Sequence, residues 1–206
     1  MFNKNNNPYI WERKNALDKN VCERLIRTFE RADAKNLTDK GMLGGGLGSE
    51  KRYDPNMKQS QDLYLFKDSY EYEDNILYTN LSGMLKEYQE YIKQSVVKDY
   101  ETRVFYGTDT IIDTGYQIQR TSPGGFYNWH NDSCMNEEGF TRQLTYLWYL
   151  NTIKDGGYTE FYNGYKVHAE QGKLLIFPAT WSYLHRGYPP KKDTKYIVTG
   201  WVMNKM

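Results

Sequence analysis

Two of the three histidines in this chain stand where they could hold a metal ion together with a carboxylate. His130 and Asp132 are two residues apart in a strand-like segment, and residues i and i+2 of a strand project from the same face. An imidazole and a carboxylate placed in this way can occupy two adjacent positions around one cation. His185 lies further along the chain in another predicted strand, from which it can supply a third ligand.

Two histidines and one carboxylate on one face of an octahedral site leave three positions open, an arrangement that suits iron(II) oxygenases. Zinc hydrolases also use two histidines and a carboxylate, with four-coordinate geometry and a nearby general base. The spacing alone does not decide between these two classes. His168 has no partner at ligand spacing, and we interpret it as structural or exposed. Cys22 and Cys134 are expected to be free thiols, too few for a cysteine-rich metal site.

Lys195 carries the second part of the chemical hypothesis. Pro189-Pro190 and the polar residues after them predict a turn between His185 and Lys195. If the chain reverses there, the two residues lie opposite each other on antiparallel strands, with Cβ atoms about 5 Å apart. The ammonium would then reach an anion bound at the metal through a charge-assisted hydrogen bond. A metal-chelating 2-oxo acid with a second carboxylate fits this geometry.

The elements that must position these residues change in character along the chain. The apolar periodicity predicts a helix from Asp18, its N-cap, to about Ala32, and a longer one from Tyr70 to about Val97, which Gly83 weakens and can split. Residues 41–48 contain five glycines. We interpret them as a flexible loop and as a candidate flap over the substrate.

From about Ile111 onward, short strand-like runs alternate with turn signals such as Asn163-Gly164 and Gln171-Gly172. Many short strands at this spacing predict a mostly β protein with a jelly-roll core and with the N-terminal helices packed outside it. We expect one domain over residues 1–206, with residues 1–100 as helical and loop support and residues 111–203 as the catalytic core. The predicted runs are Gln61–Phe66, Tyr116–Thr121, Phe126–His130, Gln143–Leu150, Tyr158–Phe161, Lys173–Phe177, Tyr183–Arg186 and Lys195–Met203.

The charge balance argues against nucleic acid and acidic membranes as partners. The 206 residues include 27 basic and 26 acidic side chains, which leaves a net charge of +1 and no general attraction to nucleic acid or to acidic membranes. The N-terminal residues are polar, and no apolar run is long enough for a membrane helix. We therefore expect a soluble, cytoplasmic protein without a signal peptide. The composition does not specify an oligomeric state.

A series of motifs runs through the second half of the chain in a fixed order: Phe126-Tyr127-Asn128-Trp129-His130-Asn131-Asp132, Arg142-Gln143-Leu144-Thr145-Tyr146-Leu147-Trp148-Tyr149-Leu150-Asn151, Gly156-Gly157-Tyr158-Thr159-Glu160-Phe161, Gly172-Lys173-Leu174-Leu175-Ile176-Phe177, His185-Arg186 and Lys195-Tyr196-Ile197-Val198-Thr199-Gly200-Trp201. With these motifs, residues Tyr116–Val202 resemble the catalytic core of the 2-oxoglutarate/iron(II) dioxygenases, in the prolyl 4-hydroxylase branch. The resemblance implies a double-stranded β-helix that holds iron(II) on His130, Asp132 and His185, with 2-oxoglutarate and O2 as co-substrates and ascorbate as a candidate reductant.

The same resemblance implies the other residues of the pocket. Lys195 would pair with the distal carboxylate of 2-oxoglutarate. Tyr149 and Thr159 match positions that hydrogen-bond this carboxylate in one member or another, and Tyr127, in the family's tyrosine position, would line the same pocket. Many members carry a further tyrosine shortly before the first metal-binding histidine, where this chain has Arg120 and Thr121.

The expected activity is therefore hydroxylation of a C–H bond, with a prolyl residue in a protein or peptide as the favoured substrate. Two alternatives stay open. The same machinery can hydroxylate another side chain or a free amino acid, and a cupin-like module can bind a metal without turnover.

Overall fold

The computed structural model describes residues 7–44, 50–96 and 111–205. The helices in these ranges are α1 (Lys19–Asp33) and α2 (Lys67–Ser95). The strands are β1 (Trp11–Arg13), β2 (Asp39–Lys40), β3 (Met42–Leu43), β4 (Arg52–Tyr53), β5 (Gln61–Leu65), β6 (Ile111–Asp113), β7 (Tyr116–Thr121), β8 (Tyr127–His130), β9 (Phe140–Tyr149), β10 (Thr159–Phe161), β11 (Lys166–Val167), β12 (Leu174–Pro178), β13 (His185–Gly187) and β14 (Lys195–Lys205).

Helix α1 confirms the prediction made from its apolar periodicity. The Asp18 carboxylate accepts a hydrogen bond from the Asn20 backbone N–H at 2.8 Å, which satisfies one of the free donors at the helix start. The apolar face of α1 packs against the protein core, and its buried residues recur at intervals of three and four: Cys22, Leu25, Phe29 and Ala32.

Helix α2 begins earlier than predicted, because the backbone N–H groups of Ser69 and Tyr70 both donate to the Phe66 carbonyl. The backbone departs from helical geometry at Tyr70, with φ −135° and ψ 40°. The expectation of a break at Gly83 is wrong, since the helix continues through this residue to Ser95. The predicted end at Val97 lies outside the described residues.

The strands form two main sheets and one short hairpin. The larger sheet has the order β1-β12-β9-β14-β7-β5-β2, with β6 paired to β14, and the smaller sheet has the order β11-β10-β13-β8. Within the described ranges, strands β3 and β4 pair only with each other. This arrangement of two sheets with helices outside confirms the predicted mostly β, jelly-roll class.

The larger sheet has a core on each face because side chains alternate along a strand. On β9, Tyr146 and Trp148 face α1 and α2, where they join the larger apolar cluster. Leu147 and Tyr149 point the other way and pack with residues of the smaller sheet, among them Phe161. The predicted metal ligands and Lys195 lie in this second space, between the two sheets.

The expected pairing of His185 with Lys195 on adjacent strands is wrong. Strand β13 pairs with β8 and β10 in the smaller sheet, whereas β14 pairs with β7 and β9 in the larger one, where Lys195 lies opposite Thr121. Pro189 and Pro190 do not form a tight turn, because their carbonyls accept hydrogen bonds from Gly157 and Gly124 of two other loops. The chain therefore crosses from one sheet to the other.

The glycine-rich segment is partly regular. Met42–Leu43 forms β3, paired with Arg52–Tyr53, so this part of the predicted loop is a short hairpin. Residues 45–49 lie outside the described residues, and the interpretation of the segment as a flap stays a prediction. In the three described ranges, neither helix combines the length and the apolar character that crossing a membrane requires.

Candidate active site

His130, Asp132 and His185 come together at the end of the smaller sheet. His130 and His185 are opposed in the antiparallel register of β8 and β13, with ring centroids 4.2 Å apart. Asp132 follows β8 and turns its carboxylate to both imidazoles, with Oδ1 3.6 Å from His130 Nε2 and Oδ2 3.7 Å from His185 Nε2. One potential ligand atom from each residue lies within 4.8 Å of the other two.

Local hydrogen bonds fix the tautomers of both imidazoles. His130 Nδ1 is 2.7 Å from the Asn128 carbonyl oxygen, and His185 Nδ1 is 3.0 Å from that of Tyr183. A carbonyl oxygen only accepts, so each Nδ1 carries the proton and donates it. Each Nε2 is left with a lone pair directed towards Asp132, as in imidazoles that bind metals in proteins.

The protonation states also suit a cation, because metal binding requires neutral imidazole and ionised carboxylate. Burial, together with the neighbouring His185, lowers the pKa of His130 to about 3. Burial raises the pKa of Asp132, but the two imidazoles and the hydrogen bond from the Thr145 hydroxyl, at 2.7 Å, outweigh it and hold this pKa below its ordinary value. The donor set therefore fits a divalent metal and matches the two-histidine, one-carboxylate facial triad of iron(II) enzymes.

A cavity between the sheets extends from the triad to Lys195. The Lys195 side chain is 5% exposed, and burial lowers its pKa to about 8. Its ammonium makes no hydrogen bond and no ion pair with the described residues. It lies beside the backbone of β13, since a Cβ built on Gly187 would be 3.7 Å from Lys195 Nζ. A buried ammonium in this position has the charge and the unused N–H donors that suit an anion.

The other predicted pocket residues have different places around this cavity. Thr159 and Tyr127 line it, and the Tyr127 ring stacks on His130 with centroids 3.5 Å apart and an interplanar angle of 12°. Tyr149 does not line the cavity. Its hydroxyl lies behind Thr159 and donates to Thr159 Oγ1 at 2.7 Å. His168 is exposed and lies against the Tyr158 ring, apart from the site.

Sequence reasoning missed three residues of the site. Thr145 holds the Asp132 carboxylate, and Lys58 lines the cavity with its ammonium 2.6 Å from Asp62 Oδ2. Thr145 and Asp62 had a detectable signal, because each is a polar residue at a buried position of a predicted strand. Lys58 had none, since it lies in an irregular segment between β4 and β5.

A groove of about 890 Å³ adjoins the cavity on the side of the β3–β4 hairpin. Its walls include Met42, Arg142 and Trp201, and the Arg142 guanidinium lies over the Trp201 ring at 3.5 Å. Lys58, Tyr127 and Asp132 line both the groove and the cavity. A molecule that lies in the groove would therefore contact Asp132 of the triad.

Comparison with known proteins agrees with this geometry. Residues 116–203 match the model of the 2OG-Fe(II) oxygenase superfamily. A putative prolyl 4-hydroxylase of Acanthamoeba polyphaga mimivirus is 32% identical over an alignment of 103 positions that covers 41% of this chain and 43% of the relative. The chain thus matches less than half the length of this curated relative.

Solved prolyl hydroxylase structures share the fold. The collagen prolyl hydroxylase of Paramecium Bursaria Chlorella virus-1, in its 2OG complex, has a TM-score of 0.65 at 18% identity and covers 98% of this chain and 99% of its own. A Pseudomonas putida prolyl-4-hydroxylase gives 0.64 at 17%, with 96% and 94% covered. A Trichoplax adhaerens prolyl hydroxylase, in complex with a hypoxia inducible factor peptide fragment, gives 0.70 at 17%, with 97% and 85% covered. Residues 116–203 are therefore similar in sequence to the 2OG-Fe(II) oxygenase superfamily, and the chain shares its fold with solved prolyl hydroxylases.

Proposed function

We propose that this protein is an iron(II)- and 2-oxoglutarate-dependent oxygenase that hydroxylates a prolyl residue in a protein or peptide. The observation that carries the proposal is the placement of a buried ammonium, Lys195, in the same cavity as the His130–Asp132–His185 triad. A metal site alone needs no buried ammonium. A co-substrate that chelates the metal and extends a second carboxylate needs both the triad and the ammonium.

In this proposal, His130 and His185 bind iron(II) through Nε2 and Asp132 binds it through its carboxylate. Iron(II), when bound, couples the oxidative decarboxylation of 2-oxoglutarate by O2 to the transfer of one oxygen atom to a C–H bond. The Nδ1–H groups keep both imidazoles oriented by donating to Asn128 and Tyr183. Such supporting hydrogen bonds fix the direction of the metal-binding lone pairs.

Lys195 binds the distal carboxylate of 2-oxoglutarate, with Thr159 as a second donor. The Tyr149 hydroxyl lies within hydrogen-bond distance of Thr159 Oγ1, at 2.7 Å, and of the Val167 carbonyl oxygen, at 3.3 Å, so it supports Thr159 from behind the pocket. A hydrogen bond between charged groups contributes roughly 1.5–3 kcal/mol. Because Lys195 is buried, the interaction is stronger than it would be at the surface.

The relatives and the groove support a peptide as the second substrate. The similar proteins include a collagen prolyl hydroxylase and a prolyl hydroxylase that binds a peptide fragment. The groove beside the triad shares Lys58, Tyr127 and Asp132 with the cavity, so it gives a bound peptide a place next to the triad. Hydroxylation of another side chain remains the alternative within the same machinery.

The test is a succinate assay on the wild-type protein with iron(II), 2-oxoglutarate and ascorbate. The peptides are one of Gly-Pro-Pro repeats, one from a hypoxia inducible factor degradation domain and a proline-containing peptide pool. We expect succinate to form and a peptide to gain the mass of one oxygen atom. Lys195→Met should greatly raise the KM for 2-oxoglutarate, whereas Lys192→Met, at an exposed lysine, should leave it unchanged. Metal binding without succinate would identify a non-catalytic module instead.

A further inference from the structure

Lys58 places a second buried ammonium beside the triad. Its side chain is 3% exposed, its Nζ lies over the Tyr127 ring at 5.3 Å from the centroid, and Tyr127 in turn stacks on His130. The surrounding backbone is fixed, because the Gln59 N–H donates to the Phe126 carbonyl and the Asn128 N–H to that of Met57. Lys58 is thus held against the strand that carries the first metal ligand.

The ammonium of Lys58 has hydrogen-bonding capacity that the protein leaves unused. A lysine ammonium has three N–H donors. Among the described residues it has one hydrogen-bond acceptor, Asp62 Oδ2, at 2.6 Å. The stem has little freedom to seek others, since a Cβ built on Gly41 would lie 2.9 Å from Lys58 Cε. The remaining N–H donors of Lys58 are therefore available to an oxygen atom of a molecule bound in the cavity or the groove.

The Asp62 carboxylate determines which kind of oxygen suits these donors. Asp62 is 1% exposed, and it also accepts hydrogen bonds from Ser60 Oγ at 2.8 Å and Gln117 Nε2 at 3.2 Å. The Lys58–Asp62 pair therefore has no net charge, in contrast to the unpaired Lys195. A neutral pair has little attraction for a carboxylate, but its N–H groups can donate to an uncharged carbonyl without burying a new charge.

We propose that Lys58 is a substrate-binding residue that donates to a main-chain carbonyl of the peptide as it passes from the groove to the triad. The inference rests on the proposed function, because it takes the substrate to be a peptide. Lys58 lines both the groove and the cavity and stands where they meet. A hydrogen bond at this point sets the depth and direction of the peptide beside the metal. Lys195 holds the co-substrate and Lys58 holds the peptide.

The test removes the pair as a unit. Lys58→Met alone would leave a buried, uncompensated carboxylate and could unfold the protein, whereas removing both partners avoids this cost. The variant is therefore Lys58→Met/Asp62→Asn. Its control is Lys191→Met/Asp155→Asn, which removes an exposed Lys–Asp pair, 3.1 Å long with 61% and 47% of the side chains exposed. The KM values for peptide and for 2-oxoglutarate are measured for both variants, with thermal unfolding as a check on folding.

We expect the pair variant to raise the peptide KM roughly tenfold to a hundredfold, as for a lost hydrogen bond to a charged donor, with the KM for 2-oxoglutarate unchanged. The control should change neither value. A thioamide scan of the carbonyls around the target proline adds a direct readout. At one position, sulfur should weaken binding to the wild type but not to the pair variant.

An unchanged peptide KM in the folded pair variant would overturn the inference, and so would a raised KM for 2-oxoglutarate alone. Either result requires that the wild type forms succinate, so it leaves the proposed function intact. A wild type that forms no succinate with any of the peptides would overturn the proposed function and the inference together.

Discussion

At the residue scale, the three triad residues are supported in two different ways. His130 and His185 each donate from Nδ1 to a main-chain carbonyl two residues earlier, so their orientation follows from the local backbone of β8 and β13. Asp132 instead depends on a side chain of the other sheet, the Thr145 hydroxyl of β9. A point substitution can therefore remove the support of the carboxylate while the imidazoles stay as they are.

Thr145→Val should weaken metal binding by roughly tenfold to a hundredfold, the usual cost of losing a hydrogen bond to a metal ligand. Valine keeps the shape of threonine and removes the donor to Asp132. Thr28→Val is the matched control, because Thr28 Oγ1 also donates to a carboxylate, that of Glu73, on the far side of the larger sheet. Isothermal titration calorimetry with Mn(II) measures the change in metal affinity. Equal affinities for the two variants would contradict the role of Thr145.

Lys195 should make 2-oxoglutarate binding depend on pH in a definite direction. Burial lowers the pKa of its ammonium from 10.5 to about 8, so the charged form predominates below pH 8 and is lost above it. The co-substrate carboxylate binds the charged form, and the KM for 2-oxoglutarate should therefore rise towards tenfold per pH unit once the pH exceeds the pKa of Lys195.

The matched comparison for this prediction is Lys195→Met. Its KM for 2-oxoglutarate should be high already at pH 7 and should not rise further through pH 8 to 9. Initial rates over this range, at saturating metal, measure both profiles. A parallel rise in the wild type and the variant would assign the pH dependence to another group.

At the scale of elements, one asparagine joins helix α2 to two other parts of the fold. Asn80 accepts a hydrogen bond from Trp148 Nε1 of β9 at 3.0 Å and donates to the Ala16 carbonyl, just before α1, at 2.6 Å. Trp148 is fully buried and lies on β9 directly after Leu147, which lines the cavity. The position of α2 on the sheet is thus linked to the strand that carries Thr145.

Asn80→Ala should lower the free energy of unfolding by about 1–3 kcal/mol, because it leaves two partly buried polar groups without their partner. Asn75→Ala on the same helix is the control, since the Asn75 side chain makes no hydrogen bond with the described residues. Urea unfolding of both variants measures the difference. Because alanine has a higher helix propensity than asparagine, Asn75→Ala should not lower the free energy of unfolding. A loss as large for Asn75→Ala would contradict the role of the link to Trp148.

The elements also show what sequence reasoning can reach. Local rules predicted α1 from Asp18 and its periodic apolar face, and β7 at its observed bounds, Tyr116–Thr121. They failed for the segment between His185 and Lys195. Pro189-Pro190 looked like a turn, but these residues lie beside two other loops and accept backbone hydrogen bonds from them. Strand pairing across two sheets is decided by contacts distant in sequence, and a local pattern does not contain them.

The same limit applies to the site. His130 and Asp132 were predicted as a pair because two residues on one strand share a face, whatever the rest of the fold does. Lys58 could not be predicted, since its burial depends on the segment 57–59 lying along Phe126–Asn128 and on Gly41 lying over its stem. Both contacts involve residues distant in sequence from Lys58, so the local sequence pattern does not predict them.

At the scale of the whole molecule, the two ends of the proposed co-substrate belong to different sheets. The triad lies on β8, the residues after it and β13 of the smaller sheet, whereas Lys195 lies on β14 of the larger sheet. A metal ion alone joins strands that are already hydrogen-bonded to each other. A molecule that binds both the metal and Lys195 bridges the two sheets, and it should therefore stabilise the fold beyond what the metal does.

Thermal unfolding should accordingly show two separate increments. A ligand at a hundred times its Kd stabilises a fold by about 2.7 kcal/mol, and 1 kcal/mol corresponds to roughly 2–4 °C in Tm for a chain of this size. We expect Mn(II), a stand-in suited to oxygen and nitrogen ligands, to raise the Tm, and 2-oxoglutarate to raise it further by about 5–10 °C.

Asp132→Ala should lose both increments, because two imidazoles alone leave the charge of the cation uncompensated. Lys195→Met should keep the first and lose the second, and Lys192→Met should keep both. If Lys195→Met retained the full second increment, the co-substrate would not reach the larger sheet through this lysine.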